Sequence, residues 1–203
     1  MRDSQTMSQI GMREYPLFKV PDPLGGRSPK EWKPKEAEQF CEWIKTVGME
    51  ERVAGLLEFF GESMEGAPEE VLERLGRKAA ETLKEAIYWE EGSDTWKEFV
   101  DRGIIVKRKT LTHHGAALGR DIGLLIAKLL LDLHPHVHWD WVRKPKSDVD
   151  YHQPKLVGYD PIHGFAPMRM GMGCAGAVAN SKDDFLCWRR TFEKMNHLMA
   201  KPV

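Results

Sequence analysis

Residues 118–133, LGRDIGLLIAKLLLDL, form the segment that most constrains the fold of this chain. Only Arg120, Asp121, Lys128 and Asp132 interrupt its apolar residues, so a helix here has just a narrow polar stripe. A helix that is apolar around most of its circumference is buried on most sides. The segment is too short and too charged to span a bilayer. The sequence therefore predicts a central helix that needs other elements on both flanks to cover it.

Amphipathic helices are predicted ahead of this segment, after an extended lead-in over residues 1–34 that is rich in Pro and Gly. Apolar residues recur in each helix at i, i+3, i+4 and i+7, which places them on one face. Gly48 and Gly61 are positioned to end the first two helices. The predicted helices cover residues 35–49, 49–61, 67–91 and, as a short fourth element, 93–103. A strand or extended connection over residues 103–112 leads into the central helix.

The periodicity changes after Pro135. Residues 136–142, HVHWDWV, alternate polar and apolar side chains, as a half-buried strand does. Residues 154–161 have the character of a second short strand, and residues 163–172 that of a possible third. Residues 143–153, RKPKSDVDYHQ, form a polar loop between the first two strands.

A final amphipathic helix is predicted over residues 181–200. Ser181, with Asp184 three residues later, has the spacing of a capping box. The apolar stripe of this helix comprises Phe185, Trp188, Phe192, Met195 and Met199. Helices, then a small sheet, then a helix predict an α+β fold with an antiparallel sheet. We expect a single domain over residues 1–203, because the central helix needs both flanks.

Composition indicates a globular protein and limits its partners. Hydrophobic residues make up 41% of the chain and charged residues 30%, with a formal net charge of −1. This gives no general reason to expect a membrane or nucleic-acid partner. Two short basic runs, residues 107–109 and 143–146, lack the interleaved aromatic residues of a nucleic-acid interface. A nucleic-acid binder is therefore the weakest of the functional hypotheses.

The cysteines and the N-terminus indicate the compartment. The three cysteines are an odd number and include no C-x-x-C pair, which favours a reduced protein over a disulfide framework. The first residues lack the apolar run of a secretory signal. We therefore expect a cytoplasmic protein, and no motif in the sequence requires a cofactor.

A metal site is one interpretation of the polar face of the first predicted strand. His136, His138 and Asp140 lie at every second position, and imidazole and carboxylate groups are ligands for zinc and related metals. A further ligand would come from a more distant histidine: His113, His114, His152 or His163. The alternative is an ordinary strand whose polar face meets solvent opposite a Trp-rich core face. No other element of the sequence matches a metal signature.

Two further motifs are interpreted as structural. Thr110 or Thr112 is suited to capping the start of the central helix. Residues 171–180, GMGCAGAVAN, match neither a dinucleotide-binding motif nor a P-loop, so close packing of two elements better explains their small side chains. Cys174 within this stretch lacks the signature of a catalytic nucleophile.

Six glutamates cluster within 16 residues of the helical half of the chain. They are Glu58, Glu62, Glu65, Glu69, Glu70 and Glu73. One interpretation is an ordinary solvated surface. The functional interpretation is an acidic face that captures a basic protein and imitates a phosphate backbone.

The stretch LTHHGAALGRDIGLLIAKLLLDLHPHVHWDW, followed by KPKSDVDYHQPKLVGYD, resembles a family of small uncharacterised bacterial proteins. In that family an LG-D-G helix leads to an NP-L-W strand, a KPK-D-D--QP loop and an L-GF strand. The resemblance covers roughly residues 110–160. The matching residues are Gly119, Asp121, Gly123, Trp139, Lys144, Pro145, Lys146, Asp148, Asp150, Gln153, Pro154 and Gly158. Members of the family look like immunity proteins that neutralise polymorphic toxins, and no catalytic motif comes with the resemblance.

The leading hypothesis is therefore a non-enzymatic cytosolic immunity protein that blocks a cognate toxin by occlusion. A nuclease toxin is an attractive target, because its active-site cleft would be basic. The alternative is a metal-dependent hydrolase that uses His136, His138 and Asp140.

Overall fold

A computed structural model of the protein describes residues 15–21, 28–84, 111–160, 164–180 and 182–201. The helices are α1 (Pro34–Trp43), α2 (Met49–Phe60), α3 (Pro68–Lys84), α4 (His113–Leu133), α5 (Pro167–Ala179) and α6 (Cys187–Met199). The strands are β1 (His138–Trp141) and β2 (Pro154–Val157). Helices combined with a small two-stranded sheet make this an α+β fold, so the predicted fold class is confirmed.

The central helix α4 lies at the core of the fold, as predicted. Thirteen of its residues are buried, including Leu118, Ile122 and Leu125, and it packs against α2, α3, α5 and α6. Thr112 caps its start by accepting a hydrogen bond of 3.1 Å at Oγ1 from the Gly115 N–H. One hydrophobic cluster joins residues from all of the helices and strands named above. Burial of this apolar surface is the main favourable contribution to folding.

The first two helices are not separated at Gly48, so the prediction that this glycine ends the first helix is wrong. Residues Ile44–Gly48 form a π-helical turn that joins α1 to α2, and Gly48 keeps helical dihedral angles of φ −63° and ψ −37°. The glycine is needed for packing, because a Cβ atom there would lie 2.8 Å from the ring of Trp43. Gly61 ends α2 in the left-handed conformation, with φ 59°, as predicted.

The possible third strand over residues 163–172 is not formed, and that prediction is wrong. Phe165 makes an isolated antiparallel bridge to Leu156, in which the Leu156 N–H donates to the Phe165 carbonyl at 2.7 Å. Pro167 then begins α5. Proline is well suited to a first helical position, because its φ angle is fixed near the helical value and its missing N–H has no helical partner there.

Helices α4 and α5 approach so closely that their backbones touch. A Cβ atom on Gly171 would lie 2.1 Å from the carbonyl oxygen of Gly119, and one on Gly123 would lie 2.2 Å from that of Pro167. Only glycine leaves room for such an approach. The prediction that the small residues of 171–180 serve close packing of two elements therefore holds at Gly171, whereas Gly173 meets no atom within 4 Å.

The two strands are antiparallel, with Trp139 opposite Leu156 and Trp141 opposite Pro154. The side chains of Trp139 and Leu156 are buried and attach the sheet to the core. The predicted antiparallel sheet is confirmed. Strand β1 is shorter than the predicted strand over residues 136–142, since it begins at His138 and His136 lies before it.

Helix α6 begins at Cys187, later than predicted. The Asp184 carboxylate accepts a hydrogen bond of 2.9 Å from the Leu186 N–H, within the turn that precedes the helix. Ser181, the other half of the predicted capping box, lies outside the described residues. Four of the five residues of the predicted apolar stripe are buried in α6, namely Trp188, Phe192, Met195 and Met199. The fifth, Phe185, precedes the helix.

Some predicted elements cannot be compared with the structure. Residues 1–14 and 22–27 of the lead-in, the end of the third helix after Lys84, and the predicted elements over residues 93–110 lie outside the described residues. In the described part of the lead-in, Pro29–Glu31 form a short 3-10 helix. Over the described ranges, no helix has both the length and the apolar character needed to cross a bilayer.

Candidate functional site

The predicted metal ligands in and just before β1 do not converge on one point. The His136 Nε2–H donates to the carbonyl oxygen of Met199 at 3.0 Å, since a carbonyl only accepts and the ring must supply the proton. His138 Nδ1 lies 3.3 Å from the carbonyl oxygen of His136. Asp140 accepts a hydrogen bond of 2.8 Å from Arg143. Each predicted ligand thus has its own protein partner.

Two of the histidines predicted to complete a metal shell, His114 and His152, also have separate partners. The Nδ1–H of His114 donates to the Tyr15 carbonyl at 2.6 Å, and that of His152 donates to the Pro29 carbonyl at 3.1 Å. His163 lies outside the described residues. Among the residues with described positions, no group of three or more His, Cys, Asp or Glu side chains is arranged to hold a metal ion.

Two of the six clustered glutamates stabilise the fold. Glu62 contacts Lys78 at 2.8 Å and Arg74 at 3.1 Å, which joins the segment after α2 to α3. The hydrogen bond from Lys78, aided by that from Arg74, holds the pKa of Glu62 below its ordinary value. Glu73 links α3 to α6 through Arg189 at 2.9 Å. These two carboxylates are therefore already neutralised by cations of the same chain.

The other four glutamates form what we term the acidic corner, defined by Glu58, Glu65, Glu69 and Glu70. They lie in the last turn of α2, the connecting loop and the first turn of α3. Glu58, Glu65 and Glu70 are exposed, and Glu69 is half-buried. None of the four forms an ion pair with another described residue, although Glu70 accepts a hydrogen bond of 3.2 Å from the Ala67 N–H. Their charge is therefore directed largely at solvent.

A buried carboxylate lies at the centre of the molecule. Asp121 of α4 is fully buried and accepts hydrogen bonds from Arg52 of α2, at 2.9 Å to Oδ1, and from the Tyr15 hydroxyl, at 2.5 Å to Oδ2. Burial raises the pKa of Asp121, and the bonds from Arg52 and Tyr15 oppose that shift. Burial also raises the pKa of the Tyr15 hydroxyl, so that it donates and does not ionise. The resemblance singled out Asp121, but its two partners are distant in sequence.

A cavity of about 290 Å³, which we term the arginine pocket, lies beside this network. Its walls come from the lead-in, α1, α4, the loop before β2, and α5. Aromatic walls are provided by Phe18, Trp32 and Phe40, and polar groups by Arg120 and Gln153. Pockets with mostly apolar walls and a few polar groups are the usual form of small-ligand sites.

Sequence reasoning placed Arg120 only in the narrow polar stripe of the central helix. The signal for a polar site in the sequence is the charged pair Arg120–Asp121 in a helix that is otherwise buried. Since both residues face packed elements, each needs a counter-charge or a polar cavity. Asp121 has its counter-charge, whereas Arg120 reaches the arginine pocket.

Comparisons with known proteins add no relative. No family model matches the chain, and neither a curated protein nor a solved structure matches it. The resemblance to the bacterial immunity-type family therefore stays a prediction.

Proposed function

We propose that the protein is an immunity protein, which binds a cognate bacterial toxin and neutralises it by occlusion. The observation that carries the proposal is the acidic corner. Its four glutamates are drawn from 13 consecutive positions and have no ion-pair partner among the described residues. The resemblance over residues 110–160 supports the same function.

The placement of the acidic corner suits a role in binding. Glu62 and Glu73 attach the flanking helices to Lys78 and Arg189, so the corner is held on a supported helix–loop–helix segment. A pre-organised charged surface accelerates association with an oppositely charged partner and loses little entropy on binding. A nuclease toxin presents a basic cleft where it binds phosphates, and the acidic corner is complementary to such a cleft.

The residues that carry the resemblance have structural positions consistent with a binding scaffold. Gly119 and Gly123 allow α4 and α5 to touch, and Asp121 ties α4 to α2. Gly158 has φ +103°, a conformation that favours glycine. These residues keep the helices in place. Specificity for one toxin would then come from exposed residues such as those of the acidic corner. We further propose that the protein acts in the cytoplasm, where an immunity protein would meet an incoming toxin.

Co-expression with the toxin encoded beside its gene tests this function. The wild-type chain should rescue growth and co-purify with the toxin. A variant with the corner reversed, Glu58→Lys, Glu65→Lys, Glu69→Lys and Glu70→Lys, should lose rescue. A matched control reverses four exposed acids elsewhere: Glu38→Lys, Glu51→Lys, Glu81→Lys and Asp132→Lys.

The control has the same change in net charge and should still rescue growth. Equal rescue by both variants would exclude the acidic corner as the contact surface. Failure of the wild-type chain to protect, with no complex recovered, would exclude the immunity function itself.

The alternative of a metal-dependent hydrolase has less support, because His136, His138 and Asp140 bond to different protein groups. Metal analysis of untagged protein separates the two functions. Stoichiometric zinc that is lost from a His136→Ala/His138→Ala variant would favour the hydrolase.

A further inference from the structure

The arginine pocket has the chemistry of a ligand site, and its features do not depend on the proposed immunity function. Its volume of about 290 Å³ lies just below the range of about 300–1,000 Å³ that is usual for small-molecule sites. Phe18, Trp32, Phe40 and Met172 contribute apolar surface to its walls. A cavity of this size and lining suits a small, largely apolar ligand.

Arg120 brings a positive charge into this cavity without a bound carboxylate. Its guanidinium lies over the Phe18 ring, 5.4 Å from the centroid, and its Nε–H donates to the Met172 sulfur at 3.2 Å. A thioether is a weak acceptor. The neighbouring Asp121 forms its ion pair with Arg52. No other described carboxylate lies within ion-pair distance of Arg120. The planar donor groups of Arg120 are therefore largely unused.

The environment makes this charge unfavourable in the free protein. Burial lowers the pKa of Arg120, and only the through-space attraction of Asp121 opposes the shift. A partly buried charge without a paired anion is destabilising, and an anion that enters the cavity would relieve the penalty. A ligand carboxylate would also match the planar guanidinium with two parallel hydrogen bonds.

Trp32 contributes apolar ring surface to the same cavity. Its side chain is only 5% exposed and lines the pocket. Its indole nitrogen is itself shielded from solvent, so the ring and not the N–H would meet a ligand.

The remaining charges of the pocket cancel each other. Arg169 and Asp150 both line it and form an ion pair at 2.5 Å. Arg120 is then the single uncompensated charge among the lining residues. The pocket is therefore matched to one negative charge, and not to a dianion or a cation.

We propose that the arginine pocket binds an organic monocarboxylate with an aromatic or branched aliphatic body, recognised by Arg120. The carboxylate accepts hydrogen bonds from the Arg120 guanidinium, while the apolar body packs against Phe18 and Phe40. The carboxylate has two possible sources, a free organic acid or the C-terminus of a peptide.

Calorimetric titration of the full chain tests this site. The probes are phenylacetate, indole-3-acetate and 4-methylpentanoate, each compared with its neutral carboxamide, and inorganic phosphate. At least one acid should bind saturably, and more tightly than its amide by roughly tenfold or more, because the amide lacks the charge that Arg120 recognises. Saturable binding by no acid, equal binding of acid and amide, or tighter binding of phosphate would each overturn the proposal.

Two variants assign the binding to Arg120. Arg120→Gln should weaken binding of the acid by roughly tenfold or more and leave binding of the amide unchanged. Arg120→Lys keeps the charge but lacks the planar pair of donors, and should weaken binding of the acid by roughly two- to tenfold. This second variant keeps the test valid if Arg120→Gln does not fold. Arg190→Gln changes an exposed arginine paired with Asp184 outside the pocket, and should bind like the wild type.

A peptide comparison distinguishes the two sources of carboxylate. Acetyl-Ala-Phe with a free C-terminus is compared with its C-terminal amide and with phenylacetate. Binding of the free-terminus peptide at or above the affinity of phenylacetate identifies a peptide C-terminus as the ligand class. Binding of phenylacetate alone identifies a free organic acid. Unchanged acid binding by both Arg120→Gln and Arg120→Lys would place the ligand elsewhere and exclude the pocket.

Discussion

Arg52 and Asp121 form a buried ion pair that ties helix α2 to the central helix α4, and the side chain of Asp121 is fully excluded from solvent. The two residues are 69 positions apart in sequence. The Tyr15 hydroxyl completes the coordination of the carboxylate at 2.5 Å. The pair thus connects the lead-in, α2 and α4 through one charged group.

Removal of the arginine should therefore destabilise the fold strongly. We expect Arg52→Met to lower the free energy of unfolding by about 3 kcal/mol or more, because Asp121 is left buried without its counter-charge. The control is Glu50→Gln, which breaks an exposed pair with Lys128 at 2.6 Å between the same two helices. The control should lose less than about 1 kcal/mol. Urea denaturation measures both, and equal losses would contradict the account.

The glycine contact between α4 and α5 gives a second prediction. Gly171→Ala should lower the free energy of unfolding by about 2 kcal/mol or more, because its Cβ atom would lie 2.1 Å from the Gly119 carbonyl oxygen. Gly173→Ala, in the same helix, meets no atom within 4 Å. That control should be neutral or stabilising by about 0.5–1 kcal/mol, since alanine is the better helix former. Thermal unfolding by circular dichroism distinguishes these outcomes.

Stability should depend on pH through Glu62. Its pKa is lowered in the folded state by Lys78 and Arg74, so the folded state favours the ionised carboxylate more than the unfolded state does. The stabilisation is present above the unfolded pKa of about 4.3 and is lost as pH falls through the lower folded value.

Glu62→Gln should therefore lower the free energy of unfolding at pH 7 by about 0.5–1 kcal/mol. The difference from the wild type should shrink as pH falls below about 4. Glu65→Gln is the matched control, because Glu65 has no ion pair with a described residue, and it should change the free energy of unfolding at pH 7 less than Glu62→Gln does. Denaturation across pH 3–7 provides the measurement, and a constant Glu62→Gln difference would refute the assignment.

The cysteines should differ in reactivity. The neighbouring Cys187 thiol, as a hydrogen-bond donor, holds the pKa of Cys174 below its ordinary value, whereas burial raises the pKa of Cys41 to about 11. Because the thiolate is the nucleophile, iodoacetamide should label Cys174 first at pH 7. Cys187→Ala should slow that labelling, and Cys187→Ser, which keeps a donor, should slow it less. Mass spectrometry of labelled peptides follows the rates, and faster labelling of Cys41 would contradict this order.

The parts of the fold that local periodicity determines could be predicted from the sequence. The apolar circumference of residues 118–133 predicted the buried helix α4, and the alternation around Trp139 predicted β1. Gly48 shows where such reasoning fails. A glycine at the end of an amphipathic pattern usually ends a helix, but here the ring of Trp43 lies against it and the chain continues through a π-helical turn.

The candidate sites depend on contacts that local patterns do not contain. Tyr15 and Asp121 are 106 residues apart, and the arginine pocket combines segments from Phe18 to Met172. The acidic cluster could be found in the sequence as six glutamates. Its division into two structural carboxylates and four solvent-directed ones required the positions of distant cations, such as Arg189.

Association of the purified chain with its purified cognate toxin is the measurement that tests the central claim most directly. We predict a stoichiometric complex in which the toxin is inactive, with an association rate that falls as ionic strength rises, because exposed charges are screened. Reversal of Glu58, Glu65, Glu69 and Glu70 should slow association further. A toxin that remains active in the presence of excess protein, with no complex detected, would contradict the proposed function.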